Sequence, residues 1–151
     1  MLKNIKKELC SKLDEILDAR ILDAKNALEA TMESLDSESK SSAGDKHETG
    51  REMILIEIGK HQDLLDKYIK LKKAISQIDA SRKSQAVTLG SLVKTSQGNY
   101  FVSVGLGSIE LHGEKYFAIS LVSPIGQSLE GLEAGSKVSF QNKDIHILEV
   151  Y

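Results

Sequence analysis

Two different periods run along this chain. From Leu13 onward, apolar residues return every three or four positions, at Leu13, Leu17, Ile21, Ala24, Leu28, Met32 and Leu35. Charged residues fill the positions between, so the spacing predicts a helix with a single apolar stripe. A second stripe of the same kind runs through Ile54, Ile58, His61, Leu65, Tyr68, Leu71, Ile75 and Ile78. No proline interrupts either run, and about 30 residues of helix would span on the order of 45 Å at 1.5 Å per residue. The connection between them is short and polar. It predicts an antiparallel coiled-coil hairpin over residues 1–79, with its tip at about 36–50, in which each stripe buries the other. Two chains pairing through the same stripes would make an intermolecular coiled coil instead. The hairpin is the simpler solution and leaves the chain a monomer.

The helical period stops in "DASRKSQAV", and residues 80–87 read as a linker. From there the period is two. "TLGSLVKT" and "NYFVSVGL" flank Gln97-Gly98, "SIEL" and "KYFAISLV" flank His112-Gly113-Glu114, and "KVSF" and "IHILEVY" flank Gln141-Asn142-Lys143-Asp144. These are antiparallel strands joined by hairpins. Within "SPIGQSLEGLEAG", Ser123 is a cap, Pro124 suits the first helical position, and Ile125, Leu129 and Leu132 share a face. One short helix on an antiparallel sheet makes residues 88–151 a small domain, and the whole chain α+β.

Composition sharpens this division. The 151 residues are 40% hydrophobic and 28% charged, which excludes a disordered or membrane-embedded chain. The longest apolar runs fall short of the roughly 18 residues a membrane span needs. The basic start lacks the apolar block of a secretory leader. A single cysteine, Cys10, permits no internal disulfide and fits a reducing, cytoplasmic setting. Residues 1–80 hold 14 Lys/Arg and 16 Asp/Glu, against 6 of each in 81–151. Along the hairpin, Lys3, Lys6, Lys7, Lys67, Lys70, Lys72 and Lys73 gather at the base, and Asp36, Glu38, Asp45, Glu48 and Glu52 at the tip. Each group reads equally as a solvated face or as a contact, the basic one with nucleic acid or acidic protein.

The candidate chemistry is at the tip. Asp45 and Glu48 stand three apart with His47 between them. Asp at an N-cap with Glu at N3 is a capping box, in which each side chain satisfies the other's backbone N–H. The same spacing keeps both carboxylates on one helix face, with lone pairs left for a further partner. Other signals are weaker. His47 reads as a solvated loop residue, and His61, on the apolar stripe, as a packed one. "GLGSIE" has Glu110 where a dinucleotide loop needs glycine, so it is a turn. Cys10 has no neighbouring base to activate it.

Residues 119–140, "ISLVSPIGQSLEGLEAGSKVSF", followed by "IHILEVY", resemble the C-terminal domain of the Gre transcript-cleavage factors of bacterial RNA polymerase. That family reads Ile-Ser, a gap, Ser-Pro-Ile/Leu, a small-residue helix, Gly, then a Gly-initiated strand with alternating Val. Ile119, Ser120, Ser123, Pro124, Ile125, Gly131, Gly135 and Val138 follow this order. At the tip, Gly44-Asp45-Lys46-His47-Glu48 is similar to the family's Gly-Asp-x-x-Glu, and Thr49-Gly50-Arg51-Glu52 replaces its Asn-Ala-Glu-Tyr. The resemblance implies an N-terminal helical hairpin followed by an FKBP-like domain. It implies that bacterial RNA polymerase is the partner, with nascent RNA met only indirectly. It implies that Asp45 and Glu48 act in the polymerase active site, holding Mg²⁺ only in the complex, and that Ser123 and Pro124 dock. On this reading the chain is no enzyme, has no cofactor of its own and has no membrane partner. Three alternatives remain open: a secondary-channel regulator of the same fold that stimulates no cleavage, a prolyl isomerase, and a coiled-coil scaffold.

Overall fold

The computed structural model describes residues 2–39 and 44–151, the side chains of residues 39 and 44–47 excepted. Two long helices come first, α1 (Leu2–Ser39) and α2 (Gly44–Ser76). Residues 15–73 form one compact unit; residues 1–14 and 74–151 form the other. The first turns of α1 and the last of α2 therefore belong to the unit that carries the sheet.

In the 15–73 unit the helices run antiparallel. Asp18 pairs with Lys72 at 2.6 Å, the Arg20 guanidinium lies 5.7 Å from the centre of the Tyr68 ring, and the Glu38 carboxylate lies against Gly50. Partners thus climb α1 as they descend α2. Leu17, Ala24, Thr31 and Leu65 are buried along the seam. The seam uses Thr31 rather than its neighbour Met32, which is 54% exposed, contrary to the sequence pattern. The apolar spacing at that turn fits either residue. The Thr31 hydroxyl enters the seam without penalty because it donates to the Ala27 carbonyl at 2.8 Å.

The second unit is built on a six-stranded sheet: β1 (Leu92–Thr95), β2 (Gly98–Val102), β3 (Gly107–Leu111), β4 (Glu114–Ile119), β5 (Lys137–Phe140) and β6 (Lys143–Val150), ordered β3-β4-β2-β1-β6-β5. Three two-residue hairpins form near the expected turns: the first is Ser96-Gln97 rather than Gln97-Gly98, because Gly98 already pairs with Thr95, and the other two are tighter than expected, because Glu114, Lys143 and Asp144 lie in strands. His112-Gly113 and Gln141-Asn142 both have positive φ at each position, the backbone of a type I′ turn. One pairing departs from an all-antiparallel expectation: β2 and β4 run parallel, with Asn99 opposite Tyr116 and Val102 opposite Ile119. The β3–β4 hairpin folds back so that β4, not β3, inserts beside β2. Local hairpin signals carry no information about that insertion.

Between β4 and β5 lies α3 (Pro124–Leu129). Ser123 takes an extended backbone and its Oγ accepts the Gly126 N–H at 3.1 Å, an N-cap with Pro124 at the first helical position. Leu129 packs with Val87, Val93, Val102, Ile145, Ile147 and Val150 to form the core. Val87 shows how the stretch 80–87 ends. Its N–H donates to Leu132 O, its carbonyl accepts from Gly131, and its side chain is buried. The segment read as a linker is therefore anchored at its last residue by two backbone bonds and an apolar contact.

Candidate functional site

The candidate tip lies where α2 begins. Its backbone is helical from Gly44, so Asp45 and Glu48 stand i,i+3 inside the helix. The capping box expected at Asp45 needs an extended backbone there and is not formed in that way. Glu48 is exposed. The side chains of Asp45 and His47 lie outside the described residues. The chemistry of the pair can be stated by residue type alone: two hard oxygen donors, a number that Mg²⁺ accepts from protein alongside phosphate and water. Among the described residues, no group of three or more His, Cys, Asp or Glu is arranged to hold a metal.

Sequence reasoning missed the contact between Glu38 and Gly50. A Cβ added at Gly50 would come within 2.7 Å of Glu38 Oε1, the far end of a side chain that can swing aside, so the glycine lets this carboxylate lie close without being required for it. The signal was a glycine within a run of helix formers, where it costs about 1 kcal/mol relative to alanine and calls for a packing reason.

The second candidate, Ser123-Pro124, divides on inspection. Ser123 is committed to structure: besides capping α3, its hydroxyl donates to Ser120 O at 2.6 Å. Pro124 is exposed, and beside it Val122 is 79% exposed, so the surface this turn offers is Val122 and Pro124. Gly126 holds the turn tight, since any Cβ there would meet Ser120 O at 2.1 Å.

The remaining sequence candidates settle into ordinary roles. His61 is half-buried on the hairpin seam, with Nε2 3.5 Å from Glu57 one turn earlier. Gly107 opens β3, so "GLGSIE" is a turn running into a strand. Burial pushes the Cys10 thiol up, the opposite of what a nucleophile needs. Of the aromatics an isomerase pocket would require, Phe101 is fully buried, and Tyr100 and Phe117 pack on each other with ring centres 5.6 Å apart.

No protein-family model and no curated protein matches the chain. Among solved structures, one described as that of the transcription factor Gfh1 is 18% identical, covering 91% of this chain and 92% of that one, with a TM-score of 0.37. A superposition that loose carries no weight for function. The fold, a long helical hairpin followed by a small, mostly antiparallel sheet domain, stands on the elements described above. No helix among the described residues is long and apolar enough to cross a membrane.

Proposed function

We propose that this chain is an accessory factor of bacterial RNA polymerase. Its sheet-bearing unit docks through the Val122–Pro124 turn, and its hairpin tip lends Asp45 and Glu48 to the polymerase active site. The observation that carries this reading is the register of the C-terminal motif. β4 ends at Ile119, Ser123 caps, Pro124 starts α3, and Gly135 precedes β5, the element order the Gre resemblance requires of residues 119–140.

Asp45 and Glu48 would be the residues that hold Mg²⁺ in that complex. The ion would supply activation of water and stabilisation of the leaving oxygen during hydrolysis of backtracked RNA. The chain's own part is to present two carboxylates on stiff helical backbone. Two carboxylates without further ligands bind Mg²⁺ weakly, so the chain alone is inert as a nuclease.

The test uses the full chain with a backtracked elongation complex and Mg²⁺. Shortening of the RNA that disappears in Asp45→Ala/Glu48→Ala supports the reading; unchanged cleavage by that double variant sinks it. Competition with a cleavage factor, without any RNA shortening, would instead identify a non-cleaving channel regulator. In a proline-peptide isomerisation assay the chain should show nothing above background.

A further inference from the structure

The hairpin leaves apolar surface that neither of its own helices covers. On α2, Met53 is 67% exposed, Ile56 61% and Leu64 39%. Apolar side chains exposed singly are ordinary on any surface. Met53 and Leu64, however, stand three helical turns apart, with Ile56 between them on the same flank. That flank carries a shallow groove of about 430 Å³ lined by Met53, Ile56, Glu57, Lys60 and His61. It is separate from the stripe that buries Leu65 against α1.

Met53, Glu57, Lys60 and Leu64 step by 4, 3 and 4, the spacing of a coiled-coil seam. The two charges at its centre decide what can cover it. The Glu57 side chain is 59% exposed and lies 3.5 Å from His61 Nε2, while no described residue pairs with the Lys60 ammonium. Two copies of α2 can be set antiparallel about a twofold axis between Ile58 and Gly59. Met53 then meets Leu64 of the second copy and Glu57 meets its Lys60, each pair occurring twice by symmetry. Parallel pairing sets Glu57 against Glu57 and Lys60 against Lys60. An antiparallel axis through Lys60 sets that lysine against itself and Glu57 against Asp63. Of these three arrangements only the first matches apolar with apolar and acid with base.

We infer that this flank of α2 is a self-association surface on which a second copy of the chain packs antiparallel, α2 on α2, with each hairpin intact. From Met53 to Leu64 the contact spans about 16 Å of helix at 1.5 Å per residue. That is small beside a standard interface, so the dimer is weak and forms with rising concentration. The inference stands on the hairpin alone and does not depend on the polymerase reading.

Sedimentation equilibrium of the full chain, from micromolar to millimolar concentration, tests it. The mass should rise from that of one chain towards that of two, and Met53→Asp should abolish the rise. Lys60→Glu and Glu57→Lys each turn two opposite-charge pairs into like-charge pairs and should each weaken the dimer about tenfold. The double variant Glu57→Lys/Lys60→Glu exchanges the signs and should recover the parental affinity, a rescue that damage to folding could not produce. Circular dichroism checks that every variant keeps the parental helix content. A mass that stays at one chain throughout overturns the proposal and leaves the stripe to an unlike protein. A dimer indifferent to Met53→Asp, or a double variant no tighter than the single ones, overturns it as well.

Discussion

The Lys6 ammonium donates to the Arg82 main-chain carbonyl at 2.8 Å, tying the second turn of α1 to the loop that follows α2. Removing the donor leaves a part-buried carbonyl without its partner, which costs about 1 kcal/mol, the low end of the range for a lost hydrogen bond. Lys6→Met should therefore lower the unfolding free energy of the full chain by that amount, seen as a lower urea midpoint at an unchanged slope. The pH dependence has a definite sign. Burial holds the Lys6 pKa below 10.5, so the unfolded chain binds this proton more tightly. Its contribution to stability rises with pH between the folded value and 10.5, and Lys6→Met should abolish that component.

Gly126 has less room for a side chain than any other described glycine. Its ideal Cβ would stand 2.1 Å from Ser120 O and 2.9 Å from the Leu121 backbone, atoms that cannot swing aside. Gly126→Ala should destabilise by about 3 kcal/mol, the upper range for overpacking. Thermal unfolding measures it, and a loss below about 1 kcal/mol would show that the turn yields.

Ser123 and Val122 separate capping from docking. Ser123→Ala removes the acceptor for the Gly126 N–H and should cost about 1 kcal/mol. Val122→Asp, at an exposed position, should stay within about 0.5 kcal/mol of the parent. If the proposed function holds, Val122→Asp weakens polymerase binding while folding is intact. Equal polymerase affinity in Val122→Asp and parent would remove this turn from the docking surface.

Cys10 should react slowly with thiol reagents in the folded chain. Burial raises its pKa above the ordinary 9.0, so thiolate is scarcer than in a free cysteine at any neutral pH. Urea should raise the alkylation rate by about tenfold or more. The linkage runs opposite to that of Lys6. Above about pH 9 the unfolded chain gives up the thiol proton first, so this group's contribution to stability falls as pH rises, and Cys10→Ala should flatten that limb.

Periodicity determined much of this protein directly. A 3.6-residue stripe can be buried only along one side of a helix, so Leu17, Ala24 and Leu65 face the seam whatever else the chain does. Two-residue turns such as Gln141-Asn142 pin their neighbours into hairpins through local sterics. The Ser123 cap is equally local, since a side chain there reaches a backbone N–H three residues on. The positions of Asp45 and Glu48 on one helix face also follow from spacing alone.

What required tertiary structure was every choice between locally equivalent solutions. Thr31 and Met32 fit the stripe equally well, and the packing of α2 against α1 selects Thr31. β4 could pair beside β3 alone, and only assembly of the whole sheet places it parallel to β2. Lys6 looked like one more solvated lysine at the hairpin base. It is buried where the Arg82 carbonyl and a main-chain oxygen of Tyr151, both distant in sequence, converge on its ammonium. Local sterics and period are written in neighbouring residues, whereas burial and charge balance depend on groups that only folding brings together.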